Sequence, residues 1–229
     1  MSSANNEYDG IVVPGGPPQT LTTRLLTITK LAVGEMNNNT YLLQSRATGD
    51  TLLIDAANEA ERILELCDGQ LDKIVTTHCH ADHWLALAEV AEATGATTYA
   101  PAPEIPEIHP TIDIALSDAD VIDIGDARLE VRFVTGHRAS YLDHISTSAV
   151  LVFRDPDGSS HVFAGDCLFP GGLGNTCDDA AAFQHLFADV NDKLFETLPD
   201  NTRIYPGHGP DTTIGAERPS LTDWQSRGW

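Results

Sequence analysis

Basic residues are scarce in this sequence. The 13 Lys and Arg stand against 34 Asp and Glu, which gives a formal net charge of −21. A surface with this balance repels a nucleic-acid backbone, so DNA or RNA binding is not expected. The sequence also lacks any apolar run near the roughly 20 residues that a membrane helix needs. These absences predict a protein whose partners are neither nucleic acids nor membranes.

Cysteine is scarce as well, with 4 widely spaced residues in a chain of 229. A chain of this length can bury a core without disulfides, so reduced thiols are expected. Residues 1–20 are rich in Ser, Asn, Gly and Pro and lack the basic start and apolar stretch of a secretory signal. We therefore expect a cytoplasmic protein with a flexible tail over residues 1–20 and a single domain over residues 21–229.

Short apolar, β-branched stretches alternate with helical patterns along both halves of the chain. Strands are predicted at 25–33, 40–44, 51–54, 73–77, 121–124, 129–134, 148–153, 161–163 and 203–205, with a turn at 37–39. Helices are predicted at 60–67, 84–94 and 180–198, where apolar residues recur at helical spacing. Strands flanked by helices in both halves predict a layered α/β domain.

Residues of metal-binding type stand directly after predicted strands. Four of them fall within six positions of the segment T-H-C-H-A-D-H, and three more follow later strands. The set is His78, His80, Asp82, His83, His137, Asp166 and His208. Imidazoles combined with carboxylates suit zinc or iron, and alternation along an extended loop points His78 and His80 the same way. The sequence therefore predicts a metal site, with Asp82 and His83 turned toward a second ion.

Several neighbouring residues are interpreted as structural. Alternation points Cys79 away from the metals, and Cys167 is expected to be packed, as is Trp84. His109, His161 and His185 lie outside every motif and are expected to be structural. Asp55 ends a strand, where it could hydrogen-bond a metal ligand or simply form a turn.

Five ordered motifs carry a resemblance to a known family. They are L-L-I-D ending at Asp55, T-H-C-H-A-D-H, V-T-G-H ending at His137, F-A-G-D-C-L-F around Asp166, and Y-P-G-H-G-P-D-T-T-I-G-A-E around His208. In these motifs the sequence resembles the metallo-β-lactamase fold hydrolases, in their glyoxalase II-like branch. The resemblance implies an α/β fold, an αββα four-layer sandwich with the metals at one edge of two facing sheets. It also implies that His78, His80 and His137 hold a first ion, that Asp82, His83 and His208 hold a second, and that Asp166 bridges them.

The resemblance implies a dinuclear metal-dependent hydrolase that cleaves a thioester of a small thiol. Two divalent ions, expected to be zinc with iron or manganese as alternatives, would supply a metal-bound hydroxide at neutral pH. Asp82 would be the catalytic carboxylate that orients this hydroxide and relays its proton. A thioester fits because a thiolate leaves without protonation, whereas an amide would need a general acid that we do not find in the sequence.

The sequence departs from glyoxalase II in ways that bear on the substrate. It ends 21 residues after His208, where glyoxalase II proper continues with a helical region that helps hold glutathione. In glyoxalase II the loop after the bridging Asp presents a basic residue to the thiol carrier, and the matching position in this sequence is Asn175. The substrate is therefore open between thioesters of glutathione or another low-molecular-weight thiol and a small acyl ester. Tyr141 and His144, in a loop expected beside the metals, join Asn175 as candidate substrate contacts, with an ordinary covering loop as the alternative.

Two other functions stay open. Persulfide dioxygenases share the fold and hold one iron with two His and one Asp, roles that His78, His137 and Asp166 could fill. Two features favour the hydrolase. The last motif, P-G-H-G-P-D-T-T, has the hydrolase form, and Asn175 stands where such oxygenases carry an Arg in the loop after the bridging Asp. A non-catalytic metal-binding module is the remaining alternative, although an open two-metal site argues for turnover. The oligomeric state does not follow from the sequence.

Overall fold

A computed structural model describes residues 8–137 and 145–228. The strands are β1 (Gln19–Thr22), β2 (Leu26–Val33), β3 (Asn38–Ser45), β4 (Thr51–Ile54), β5 (Lys73–Val75), β6 (Thr97–Pro101), β7 (Ile114–Leu116), β8 (Val121–Ile124), β9 (Ala127–Thr135), β10 (Thr147–Arg154), β11 (Ser160–Gly165), β12 (Leu168–Phe169), β13 (Gly172–Leu173), β14 (Arg203–Pro206) and β15 (Thr212–Thr213). The α-helices are α1 (Ala60–Leu66), α2 (Leu87–Thr94), α3 (Ala180–Val190), α4 (Ile214–Glu217) and α5 (Leu221–Arg227). Short 3-10 helices lie at Ala81–His83, Ala102–Glu107 and Arg218–Ser220.

Within these described residues, the strands form two large sheets and one small one. The first large sheet has the order β1-β2-β3-β4-β5-β6-β7, antiparallel from β1 to β4 and parallel from β4 to β7. The second has the order β15-β14-β11-β10-β9-β8, in which β11 and β14 are parallel and the other neighbours antiparallel. β12 and β13 pair separately.

Alternation along the strands divides the apolar side chains between two faces of each sheet. On β4, Leu52 and Ile54 join the core between the sheets, while Leu53 packs on the other side with residues of α1 and α2. On β10, Leu151 joins the same central core, while Val150 packs with residues of α3 and α5. Each fully buried side chain of this size stabilises the fold by roughly 1.5–3 kcal/mol. The layers are helix, sheet, sheet and helix, which confirms the predicted αββα sandwich.

The N-terminal segment differs from the predicted tail. Residues 1–7 lie outside the described part of the chain, but Gly10 and Val12 are buried and Gln19 begins β1. The Tyr8 hydroxyl donates to Asp211 Oδ2 at 2.7 Å. The prediction of a flexible tail is therefore wrong for residues 8–20. Their partners lie far along the sequence, so local composition could not reveal the contacts.

Two helices differ from their predicted bounds. The helix predicted at 84–94 begins at Leu87, because the chain first makes a 3-10 turn at Ala81–His83. The helix predicted at 180–198 is α-helical to Val190 and continues as a π-helical turn at Asn191–Phe195. Among the helices described here, none is long and apolar enough to cross a bilayer.

Candidate metal centre

The residues of metal-binding type lie where strands of both sheets end. Asp166 directly follows β11 and His208 closely follows β14. These two strands are parallel, so their carboxyl ends lie at the same edge of the sheet. β9, which precedes His137, runs in the same direction because β9 and β11 are both antiparallel to β10. His78 follows β5 of the first sheet. The sheet edges therefore gather side chains that are far apart in sequence.

One cluster consists of His78, His80, His137 and Asp166, which each offer one ligand atom within 4.8 Å of the others. His80 Nδ1 lies 2.9 Å from His78 Nε2 and 3.2 Å from His137 Nε2. Asp166 Oδ2 lies 3.5 Å from His137 Nε2. Three imidazole nitrogens and a carboxylate oxygen thus converge on one point, as the donors of a metal site do.

A second cluster consists of Asp82, His83 and His208, whose ligand atoms also lie within 4.8 Å of one another. Asp82 Oδ2 lies 3.3 Å from His208 Nε2 and 3.7 Å from His83 Nε2. Asp166 stands between the two clusters, because its Oδ2 lies 3.5 Å from His137 Nε2 of the first and 3.4 Å from His208 Nε2 of the second. Its Oδ1 lies 3.5 Å from His83 Nε2 of the second cluster. The arrangement can accommodate two ions with Asp166 shared between them.

The buried polar atoms fit a bound divalent cation. Within residues 8–137 and 145–228, His83 Nε2 and Asp166 Oδ1 are buried without a hydrogen-bond partner. Buried polar atoms are normally paired, so two such atoms facing each other are suited to act as donors to a shared cation. Gly207 keeps the space open, since a Cβ there would collide with Asp166 Oδ1 and His83 Cε1. Imidazole and carboxylate donors suit zinc or iron, so the residues fit the predicted type of ion.

Further hydrogen bonds orient the imidazole rings. Asp55 Oδ2 accepts from Thr77 Oγ1 at 2.9 Å and lies 2.8 Å from His83 Nδ1. Thr77 Oγ1 in turn lies 3.0 Å from His78 Nδ1. His208 Nδ1 lies 2.9 Å from the carbonyl oxygen of Met36. Such partners fix the tautomer and the direction of a ligating ring. Of the two interpretations of Asp55, contact with a predicted metal ligand is therefore the one the structure supports.

Burial and charge set the ionisation of the centre. Burial lowers the pKa of His78 well below its usual value and that of His137 to about 4, so both rings are neutral. Burial alone would lower the pKa of His208, but its hydrogen bonds to Asp166 and Asp82 raise it to about 10. Burial by itself would raise the pKa of Asp166, yet the neighbouring histidines hold the pKa of this carboxyl well below its usual range. His78 and His137 thus present neutral imidazoles beside the ionised Asp166, as a cation requires. His208 instead holds a proton that a bound cation would displace, because metal binding releases protons from its ligands.

Two asparagines that were predicted as a turn instead belong to β3 and reach the site. Asn38 is buried, and its Nδ2 donates to Asp82 Oδ2 at 2.8 Å and to the Asp82 carbonyl oxygen at 3.0 Å. Asn39 Nδ2 donates to the carbonyl oxygens of Pro206 and Gly209, both at 2.9 Å. The turn itself lies just before them. Their buried position opposite charged or peptide groups could be seen only after the sheets were assembled.

Glu104, which no motif contains, is a further residue that sequence reasoning missed. Its side chain is buried, and its oxygens accept from the backbone nitrogens of Thr147 at 2.7 Å and Cys79 at 3.3 Å. Trp84 Nε1 donates to the Cys79 carbonyl oxygen at 2.8 Å. The peptide groups between His78 and His80 are therefore held on both sides, and no local pattern signals this.

The residues interpreted as structural lie outside both clusters. Cys79, Cys167 and Trp84 are buried in apolar cores, which confirms that both thiols are packed. His161 is buried, with Nδ1 2.9 Å from the Tyr205 hydroxyl. His109 and His185 are exposed.

The candidate substrate contacts are placed only in part. Asn175 is exposed, and its Oδ1 accepts from the Cys177 backbone nitrogen at 2.8 Å. The preceding Gly174 packs so closely that a Cβ would collide with the Asp166 carbonyl oxygen and lie 2.5 Å from His137 Nδ1. The loop bearing Asn175 therefore starts directly beside the first cluster. Tyr141 and His144 lie outside the described residues.

Comparison with known proteins defines the family. A family model of the metallo-beta-lactamase superfamily matches residues 33–208, and this chain belongs to that superfamily. Together with the converging ligand set, the family describes a metal-dependent hydrolase. The match spans β3 to His208 and so includes both clusters.

Three known proteins illustrate what this chain is similar to within the superfamily. A hydroxyacylglutathione hydrolase from Bradyrhizobium sp. (strain BTAi1) is 34% identical over 176 residues, which are 75% of this chain and 62% of that protein. This chain thus spans less than two thirds of that relative's length. The crystal structure of ETHE1 from Myxococcus xanthus is 28% identical with a TM-score of 0.68, covering 83% of this chain and 81% of that one. A structure of TTHA1623 in a di-iron-bound form is also 28% identical, with a TM-score of 0.65, covering 82% and 96%.

Proposed function

We propose that this protein is a dinuclear metal-dependent hydrolase that cleaves a thioester of a small thiol. The observation that carries the proposal is the position of Asp166, whose two carboxylate oxygens face His83 and His208 of one cluster and His137 of the other. A single-ion site would need only the first cluster, while this chain assembles both. The 34% identity to a hydroxyacylglutathione hydrolase supports the same class of substrate.

The proposed role of each side chain follows from its position in one of the two clusters. When bound, two divalent ions supply a hydroxide at neutral pH and polarise the substrate carbonyl. His78, His80 and His137 would hold the first ion, Asp82, His83 and His208 the second, and Asp166 both. Zinc is the proposed ion, and the di-iron form of TTHA1623 makes iron the alternative to test.

Asp82 is proposed as the catalytic carboxylate. Its side chain is 22% exposed, against 11% for Asp166, so it is the more solvent-accessible carboxylate of the centre. Asn38 Nδ2 fixes Asp82 Oδ2 at 2.8 Å and so directs the group. Held in this way, Asp82 can orient the attacking hydroxide and accept its proton. No general acid is needed, because a thiolate leaves unprotonated.

The test combines elemental analysis of the purified chain with a panel of thioesters, assayed by release of free thiol. We expect two ions per chain and thiol release, with His208→Ala reducing the metal content to one ion and abolishing hydrolysis. His185→Ala is the matched control, since this histidine is exposed on α3 and lies outside both clusters. One iron per chain, with oxygen uptake on a persulfide and no thiol release, would instead establish the oxygenase alternative.

Asn175 is proposed as a substrate contact on the loop beside the first cluster. Asn175→Ala should raise KM for thioesters more than it lowers kcat, because a residue that only binds the carrier contributes equally to ground state and transition state. An unchanged KM across glutathione and other thiol carriers would remove Asn175 from the binding site.

A further inference from the structure

Lys30 is a buried cation that the proposed reaction does not use. It lies on β2 with its side chain 0% exposed. Its Nζ donates to the carbonyl oxygens of Gly10 at 2.8 Å and Gly209 at 2.7 Å, and to Asp211 Oδ1 at 2.7 Å. An ammonium group has three protons, and each has an acceptor here. Lys30 therefore ties β2 to two other parts of the chain, the N-terminal segment at Gly10 and the segment from Gly209 to Asp211.

Asp211 completes this buried pair. Its Oδ2 accepts from the Tyr8 hydroxyl at 2.7 Å and lies 3.6 Å from Arg203 NH1. Burial raises the pKa of Asp211 and lowers that of Lys30, and the attraction between the two charges opposes both shifts. A buried ion pair of this kind is weak evidence for stability, since apolar replacements are often as stable. Its position in the fold is the more informative property.

The pair holds the turn that carries His208. Pro206 O accepts from Tyr41 Oη at 2.6 Å and from Asn39 Nδ2. Gly209 O accepts from Asn39 Nδ2 and from Lys30 Nζ. The turn is thus held by hydrogen bonds on both sides of His208. The bond from Lys30 is accepted by Gly209, the residue directly after His208. His78, His80 and His137 of the first cluster lie on other loops.

The N-terminal segment closes over the same point. Gly10 O accepts from Lys30 Nζ and from the Asp211 backbone nitrogen, the latter at 3.3 Å. Gly10 has a φ of +78°, and a Cβ on it would lie 2.6 Å from Asp211 Cγ. The segment therefore contacts Asp211 so closely that a single methyl group would displace one of them.

We propose that Lys30 and Asp211, closed over by the N-terminal segment at Tyr8 and Gly10, are positioning residues that set the place of His208 and thereby the affinity of the second metal site. The inference rests on the proposed two-metal centre, but it concerns only one of the two ions. Disturbing the pair should weaken the binding of the second ion more than that of the first, because His208 is the proposed ligand that this turn itself carries.

Removing Lys30 or Asp211 outright would strand a buried charge and destabilise the whole chain, so the test uses gentler variants. Gly10→Ala places a methyl group against Asp211. Gly15→Ala is its matched control, because Gly15 has a φ of +75° and nothing within 4 Å of the added Cβ. Both variants strain the backbone equally, and only Gly10→Ala disturbs the pair. Tyr8→Phe removes the hydrogen bond to Asp211 without adding bulk.

The measurement is calorimetric titration of Zn²⁺ into the chelator-treated chain of 229 residues. His208→Ala identifies which of the two binding constants belongs to the second site. We expect Gly10→Ala to weaken that constant by about tenfold or more, the usual effect of disturbing a ligand's support. The other constant should change less than about twofold, and Gly15→Ala should match the wild type. Tyr8→Phe should weaken the second site by about threefold, as the loss of one hydrogen bond predicts. If Gly10→Ala does not fold, Tyr8→Phe tests the positioning role in its place.

The outcomes separate the two proposals. Equal behaviour of Gly10→Ala and Gly15→Ala, or equal weakening of both ions, would overturn the positioning role while leaving the two-metal centre intact. A wild-type chain that binds only one Zn²⁺ would overturn the two-metal centre and this inference with it. Selective weakening of the second ion supports the inference whatever substrate the enzyme takes.

Discussion

Asp55→Asn should disable ligands in both metal clusters without changing the shape of the side chain. Asp55 is 2% exposed, and its Oδ1 accepts from the Thr77 backbone nitrogen at 2.7 Å. Its Oδ2 accepts from the Thr77 hydroxyl and faces His83 Nδ1. A carboxylate can only accept, so His83 Nδ1 must carry a proton. The Thr77 proton is also committed to Asp55, so His78 Nδ1 must donate to Thr77 Oγ1. Nε2 of both rings is then the atom that can bind an ion.

The amide reverses this polarity. In Asp55→Asn the remaining oxygen still accepts from the Thr77 backbone, so the NH₂ group takes the place of Oδ2. It donates toward His83 Nδ1 and Thr77 Oγ1, which favours the opposite tautomer of His83 and, through the Thr77 hydroxyl, of His78. The backbone is not strained, because Asn tolerates the φ of 58° at this position. We expect a ten- to hundredfold loss of metal affinity, about 1.4–2.7 kcal/mol.

The assay is Zn²⁺ titration of the metal-free protein beside thioester turnover. Asp155→Asn is the control, because Asp155 is also buried and its Oδ2 accepts from the Arg24 backbone nitrogen at 2.6 Å, at the end of β10 away from the metal centre. The control should bind Zn²⁺ as the wild type does. Unchanged affinity in Asp55→Asn would refute the tautomer argument.

Three further predictions test the fold around the site. Burial lowers the pKa of His161 to about 4, below its value of about 6.5 in the unfolded chain, so its contribution to stability is intact above pH 6.5 and is lost on acidification. Because His78 and His137 also have lowered pKa values, the contribution of His161 is read as a difference: between pH 7 and pH 5 the wild type should lose about 2 kcal/mol more stability in urea unfolding than His161→Gln, and an equal loss would contradict the assignment. Gly207→Ala should lower Zn²⁺ binding by pushing on Asp166. Gly172→Ala is the control and should bind Zn²⁺ normally, because its Cβ would meet only the Arg227 guanidinium, at an ordinary contact distance of 3.5 Å; equal binding by the two variants would contradict the close approach at Gly207. Trp224→Ala, at a residue 1% exposed, should cost about 3–5 kcal/mol in chemical unfolding, and a loss below about 1 kcal/mol would mean that α5 is not part of the core.

The predicted layers agree with the structure, and the candidate ligands lie together in two clusters; both features leave local signals in the sequence. His78, His80, Asp82 and His83 are close in sequence, and each of the later candidates follows a strand marked by apolar, β-branched residues. Alternation on β4 and β10 assigns their side chains to the two faces. The predicted helix bounds differ from the structure, which has a 3-10 turn at Ala81–His83 before α2 and a π-helical turn after Val190 in place of a continuous α-helix.

The partners that support the ligands could not be found in this way. Asn38 and Asn39 have the composition of a turn, and Glu104 has no motif around it. Each acts through a group distant in sequence, as Asn39 does on the turn at Pro206 and Gly209. Such contacts exist only once the two sheets face each other, since a hydrogen bond depends on distance and angle rather than on sequence spacing.

The sequence by itself thus determined a layered α/β domain and the candidate metal-binding residues, because periodicity, strand ends and ligand spacing are properties of short segments. The order of the layers followed from the resemblance that its five motifs carry. Only the tertiary structure decided that Asp166 faces both clusters, that Asp55 orients His83, and that the segment from Tyr8 packs against Asp211. The physical reason is that these relations join residues tens to hundreds of positions apart. Their geometry is set by packing of the two sheets, which no local pattern encodes.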